Sequence, residues 1–126
     1  MITPVKTTEA PAAVGHYHQA LRAGGLLFLS GQLPIDPATG KLVEGGAAAL
    51  ARRALDNLDA VLRAGGSRRD CVLRVTVFLT DPAQGPDVNR AFGEFFGEHR
   101  PTRTTVVVKA LPLGAALEMD AIACAP

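Results

Sequence analysis

Tryptophan is absent, tyrosine occurs once and phenylalanine five times, so aromatic residues make up only 5% of the 126 residues. That scarcity disfavours a stacking platform for single-stranded nucleic acid. Cysteine is equally thin: Cys71 and Cys124 are too few and too far apart for a metal knuckle, a CxxC redox pair or a disulfide framework. Each lies in an apolar run and is expected to act as a small buried hydrophobe. Neither sign of charge dominates. Thirteen Lys and Arg against twelve Asp and Glu leave a formal charge of +1, too weak a field to draw nucleic acid or anionic lipid. No apolar run approaches the length of a membrane span. Met1–Lys6 lacks the charged head, apolar run and small-residue cleavage site of a secretory signal, so a reducing, cytoplasmic setting is expected.

What is present is the composition of an ordinary folded domain, 48% hydrophobic and 20% charged, without linker, low-complexity tract or repeat. Residues 1–126 therefore read as one domain. Ala20 to Gly25 look like a turn, followed by a short apolar strand, Leu26–Leu29, ending at Ser30-Gly31. Leu33 to Gly40 is dense in Pro, Gly and Asp and reads as a loop. From Ala47 to Ala64 the apolar residues Leu50, Ala51, Ala54, Leu55, Leu58, Val61 and Leu62 recur at helical spacing, and Gly65-Gly66 supplies the stop. Cys71 to Thr80 switches to a period of two, with Leu73, Val75, Val77 and Leu79 apolar, as in a strand with one face on a core. A second amphipathic helix, about Pro86 to His99, carries Val88, Ala91, Phe92, Phe95 and Phe96 on one stripe. Two further strands, about Arg103–Ala110 and Ala116–Cys124, are joined by the short Leu111–Gly114 connection and are expected to form a hairpin. The order predicts an α+β domain, a mixed sheet with two helices packed on one face.

Charges stand out on those last strands. Alternation groups Arg103 with Thr105, Val107 and Lys109, and Glu118 with Asp120 and Ile122. With the opposite residues on the helices, Arg103 and Glu118 are expected on the far face of the sheet. A solvated antiparallel face explains any one such charge. Apolar Val107 and Ile122 on the same face suggest instead that another subunit covers it. A tight hairpin would put Glu118 opposite Val108 and leave Arg103 on the order of 17 Å away along the strand. The two would then share a small-molecule site only across a subunit boundary.

Several segments together carry a resemblance. Ser30-Gly31-Gln32-Leu33-Pro34 with Pro37-Ala38-Thr39-Gly40, then Leu55-Asp56-Asn57-Leu58, Val75–Leu79, Pro101-Thr102-Arg103 and Glu118–Ala123 resemble the RidA family, also called YjgF. The likeness runs from about residue 8 to the C-terminus, with the motifs in order and at near-identical spacing. It implies a chorismate-mutase-like fold, a homotrimer with ligand clefts between subunits, and cofactor- and metal-free hydrolysis of reactive 2-imino acids and their enamine tautomers to 2-keto acids and ammonia. By position, Arg103 matches the arginine that pairs with the substrate carboxylate, a task suited to a planar fork that never loses its charge. Glu118 matches the glutamate that directs the attacking water. Tyr17, Asn89 and Ser30 with Gly31 match cleft positions; without the resemblance they read as a packing residue, an exposed helix residue and a strand-end turn.

There are departures. Thr105 stands where many members have cysteine, which removes thiol chemistry but not water attack on an imine. His16 replaces the usual proline in a His16-Tyr17-His18 run. Adjacent strand positions face opposite ways, so both histidines and Tyr17 are not expected to share one pocket or to build a metal site. The segment before Arg103 is shorter than in the archetypal enzymes, which would reshape the cleft mouth. Two other functions compete with the deaminase: a ligand-binding or chaperone-like trimer without turnover, and a ribonuclease or translation inhibitor. Near-neutral charge, few aromatics and no His–His or His–Lys pair at suitable spacing argue against the last.

Overall fold

The computed structural model describes residues 1–126. In chain order the elements are β1 (Thr3–Val5), β2 (Ala20–Ala23), β3 (Leu26–Gln32), β4 (Ile35–Asp36), β5 (Lys41–Leu42), α1 (Ala47–Ala64), β6 (Val72–Leu79), α2 (Gly85–Phe96), β7 (Thr102–Val107) and β8 (Leu117–Cys124). Six strands make one sheet in the order β1-β2-β3-β8-β6-β7, and β4 pairs with β5 in a small separate ribbon. Every pairing is antiparallel except β6 with β7. α1 carries the chain from β3 over β8 to β6, and α2 carries it from β6 to β7. Both crossovers step in the same direction, so crossovers of one hand put both helices on one face. The α+β class and the two-layer architecture are those the periodicities predict.

The core lies between that face and the helices. α1 contributes Ala51, Ala54, Leu55, Leu58, Val61 and Leu62, and α2 contributes the predicted stripe from Val88 to Phe96. Leu27, Val75, Val77, Leu117 and Met119 meet them from the sheet, each almost fully buried. Burial of one such side chain contributes about 1.5–3 kcal/mol. Two glycines end α1 for different reasons. Gly66 has φ +79°, and a Cβ on Gly65 would stand 2.7 Å from the Leu27 side chain. Ahead of α2, the Asp81 carboxylate accepts from the Ala83 amide while the Gln84 side chain accepts from the Asp81 amide, a reciprocal cap.

Four expectations change. Ala20–Ala23 is strand β2, and only Gly24 and Gly25, both at positive φ, make the turn. The stretch read as one loop, Leu33–Gly40, holds strand β4, which pairs with β5 just beyond it. The alternation in β6 breaks at a register shift between Val72 and Arg74, which buries Val72 (1% exposed) and turns Leu73 outward (44%). Most consequentially, β7 and β8 are not a hairpin. β8 inserts between β3 and β6, while β7 pairs in parallel with β6 at the sheet edge, and the connection spans from Val107 to Leu117 rather than turning tightly.

That topology moves Arg103. It aligns with Val75, Thr105 with Val77 and Val107 with Leu79, and directly paired residues share a face. Those partners are buried under the helices, so Arg103, Thr105 and Val107 point to the helix side, not the far side. Glu118 pairs with Phe78 and does lie on the far face. There Phe28 (44% exposed) and Val106 (38%) stand beside half-buried Phe78 and Ile122. The two cysteines are free and half-buried rather than fully enclosed.

Candidate functional site

Glu118 is the second residue of β8, where the far face of the sheet meets the loops that follow β3. Its carboxylate borders a cavity of about 390 Å³ together with Tyr17, Gly31, Gln32, Leu33 and Leu113. Gly31 sits in an irregular stretch of β3, between Leu29 and Gln32, where the register with β8 shifts. A Cβ on Gly31 would stand 2.6 Å from Glu118 Oε2, so only glycine leaves room for the carboxylate. Burial raises the Glu118 pKa above the ordinary carboxylate value, and the nearby negative charge of Asp120 adds to the rise. A proton is therefore held more tightly at this carboxylate, which makes its ionised form a better base.

Two buried amides hold the cavity walls. Gln19 accepts from the Thr7 amide at 2.7 Å and donates to the carbonyls of Thr7 at 3.0 Å and Pro11 at 2.8 Å. It ties down the N-terminal segment that supplies Pro11, Ala12 and Tyr17 to the cavity. Asn57 on α1 donates to the carbonyls of Leu33 at 3.1 Å and Ile35 at 2.8 Å, and its own oxygen accepts from Arg53 at 2.8 Å. The sequence reading assigned neither residue a role. The available signal was Asn57 itself: an amide on the buried arc of a helix must find partners.

Arg103 lies elsewhere. From β7 its Nη1 donates to Asn89 Oδ1 of α2 at 2.9 Å, and the guanidinium stacks 4.8 Å from the centre of the Phe92 ring. These contacts orient the group without neutralising it. A second cavity, of about 520 Å³, is lined by Asn89, Phe92, His99, Arg100 and Arg103. Thr105 continues the same face of β7, all six of whose residues are exposed.

The predicted residues thus separate into two groups. Tyr17, Gly31 and Glu118 share one cavity, and Asn89 and Arg103 share the other. Both Val106 and Glu118 pair with Phe78, so Arg103 is three residues and two strand spacings from Glu118, roughly 14 Å between backbones. They also point to opposite faces, so within one chain they cannot grip one small ligand. Thr105 lines neither cavity, and nor does Ser30. The Ser30 hydroxyl donates to the His18 carbonyl at 2.7 Å, and Ser30 lines a shallow depression with His16, Tyr17 and Phe28. Gly15–Tyr17 form a bend, not a strand, with the Tyr17 amide donating to the Gly15 carbonyl at 3.0 Å, so His16, Tyr17 and His18 all border that one depression, contrary to the alternation expected of a strand. No three His, Cys, Asp or Glu side chains converge where they could hold a metal ion, and no helix is long and apolar enough to cross a membrane.

Known proteins match this chain over nearly its whole length. The family model described as Endoribonuclease L-PSP matches residues 7–125. RutC family protein y4sK of Sinorhizobium fredii is 47% identical over 122 residues, covering 97% of each chain. The mouse protein named 2-iminobutanoate/2-iminopropanoate deaminase is 40% identical over 119 residues, 94% of this chain and 88% of the mouse protein. Among solved structures, Escherichia coli TdcF with bound serine superposes with a TM-score of 0.93 at 36% identity, covering 97% of this chain and 98% of TdcF. The fold, the matched span and these identities place the chain in the Endoribonuclease L-PSP family, whose members also carry the names RutC, RidA and YjgF.

Proposed function

We propose that this protein hydrolyses reactive 2-imino acids, such as 2-iminobutanoate and 2-iminopropanoate, to 2-keto acids and ammonia. The observation that carries the reading is the oriented but charge-unpaired Arg103 guanidinium: Asn89 takes one nitrogen and leaves the remainder of the fork for a carboxylate. The deaminase relatives support it, as does serine bound to TdcF, because an amino acid presents the same α-carboxylate.

In this mechanism Arg103 holds the substrate carboxylate and fixes C2. Glu118 accepts a proton from water as its oxygen bonds to C2, and the C=N π electrons move onto nitrogen. The Glu118 proton then passes to the nitrogen, and as the C–N bond breaks and the keto group forms the hydroxyl proton moves through Glu118 to the departing amine, completing ammonia. Ammonia and the keto acid leave with Glu118 ionised again. The raised Glu118 pKa suits both transfers. No step calls on a cofactor or metal.

Since one chain cannot bring Arg103 and Glu118 to one ligand, the working site takes Arg103 from one copy and Glu118 with Tyr17 from the next, in a homotrimer. The apolar far face around Phe28, Val106 and Ile122 is the surface that association would cover. The test uses an amino-acid oxidase to generate the imine and follows keto-acid release. Arg103→Ala and Glu118→Gln should each lose nearly all activity alone. Unfolded and refolded together, they should recover about one quarter of the wild-type sites by random mixing in a closed ring. Wild-type imine consumption at the buffer rate would sink the hydrolase reading in favour of a ligand-binding trimer. Failure of the mixture to regain activity would remove the shared site.

A further inference from the structure

The Arg103 cavity contains more positive charge than one α-carboxylate requires. Arg100 lines it beside Arg103, and no acidic side chain does. Ion pairs within the chain engage Arg52, Arg63, Arg68, Arg69 and Arg90; Arg100 and Arg103 are in none of them. Asn89, the partner of Arg103, is neutral, so both guanidinium charges remain uncompensated. Phe92 and Phe96 supply an apolar part of the same lining.

The backbone leading into Arg100 is held in place. The connection from α2 to β7 is short: it turns at Gly97, with φ +65°. The His99 amide donates to the Phe96 carbonyl at 3.3 Å, and His99 Nε2 lies 2.7 Å from the Val72 carbonyl, an acceptor that fixes that nitrogen as the donor. Arg100 and Arg103 are three residues apart, so their Cα atoms are at most about 11 Å apart. Two long cationic side chains at that separation bracket an anion with charge at both ends and a methylene stretch between. A compact dianion such as phosphate would leave the aromatic wall unused.

We propose that this cleft selects 2-imino acids bearing a second, terminal carboxylate, with Arg103 on the α-carboxylate and Arg100 on the far one. The assignment rests on the imine-hydrolase reading above for the orientation of the ligand, and it makes Arg100 a specificity-determining residue.

The corresponding keto acids test it without requiring turnover. Calorimetric titration of the full-length protein with 2-oxoglutarate and with 2-ketobutyrate should show the dicarboxylate binding at least about tenfold more tightly, as expected for one added charge-assisted contact. Arg100→Ala should abolish that preference and leave 2-ketobutyrate affinity unchanged, whereas Arg103→Ala should weaken both. Arg100 is exposed and carries no structural contact, so the variant should fold; sedimentation should give it the wild-type mass. Equal affinities for the two acids in the wild type would overturn the proposal, and so would an Arg100→Ala variant that loses both ligands equally or changes its mass. Inorganic phosphate binding more tightly than either acid would overturn it as well. The underlying reading fails by a different signature: imine consumption at the buffer rate while the dicarboxylate preference persists.

Discussion

Glu118 sits half-buried behind loops that Gln19 and Asn57 hold in place, whereas Arg103 stands on an edge strand with every residue exposed. The carboxylate has its properties set by enclosure: removal from water and a like charge at Asp120 both push its proton affinity up. The guanidinium needs no such tuning, because its charge survives any setting, and only its direction has to be fixed. Asn89 and Phe92 do that from one side. Enclosure binds catalytic geometry to fold stability, while exposure leaves Arg103 free to meet a ligand or another copy. Substitutions on the two sides should therefore separate activity from stability in opposite ways.

The largest effect is expected at the exposed side. Arg103→Ala removes the proposed carboxylate anchor and should lower kcat/KM for imine hydrolysis by about 10²–10³-fold. The same variant should unfold in denaturant within about 0.5 kcal/mol of wild type, as for other surface changes. A large stability loss would mean that Arg103 is structural and would break the contrast.

Next comes Gly31→Ala. The added methyl would stand 2.6 Å from Glu118 Oε2, so the carboxylate must shift. A displacement of that kind should cost roughly 10–100-fold in kcat. Affinity for a 2-keto acid, governed by the Arg103 side, should be retained. Loss of ligand affinity with kcat intact would reverse the roles given to the two cavities.

These two residues also show what the sequence made legible. The helices, β6 and the class of fold follow from periodicity, because amphipathic helices and alternating strands carry their burial pattern locally. The partner of each strand does not. β7 and β8 are neighbours in sequence with a proline and a glycine between them, which is how a hairpin reads, yet β8 gains two partners by inserting between β3 and β6. Misassigned pairing put Arg103 on the wrong face, since the face follows from alignment with Val75. Tyr17, Gly31 and Asn89 were identifiable only by resemblance to a family, whereas Arg103 and Glu118 also stood out as charges on otherwise apolar strands. Their division between two cavities, and the committed Ser30 hydroxyl, are tertiary facts. The need for glycine at Gly31 comes from a side chain 87 positions away, which no local pattern encodes.

On the enclosed side, Asn57→Ala should destabilise the fold by about 2 kcal/mol, because it strips the Leu33 and Ile35 carbonyls of a donor and leaves the Arg53 contact empty. Activity should fall only as far as the Leu33–Ile35 wall loosens, and a 2-keto acid should partly restore the melting temperature. An Asn57→Ala protein with wild-type stability would show that packing alone holds that wall.

The smallest effect tests the cause of the Glu118 shift. Its folded-state pKa lies above the ordinary value that the unfolded chain has, so the native state holds this proton more tightly. The resulting contribution to stability is fully present below the ordinary carboxylate range and is lost as pH rises through the folded pKa. At neutral pH the ionised carboxylate is therefore a burden on the fold. Glu118→Gln should melt at a higher temperature than wild type at pH 7 while losing turnover, and the difference should shrink as pH falls below the ordinary range. Asp120→Asn removes only the second contributor. It should move the acid limb of the pH–rate profile modestly downward, because ionised Glu118 would then persist to lower pH, and leave the larger, burial-driven part of the rise in place. A profile returning all the way to ordinary carboxylate behaviour in Asp120→Asn would assign the shift to charge instead of enclosure, and the contrast between the two sides would lose its physical basis.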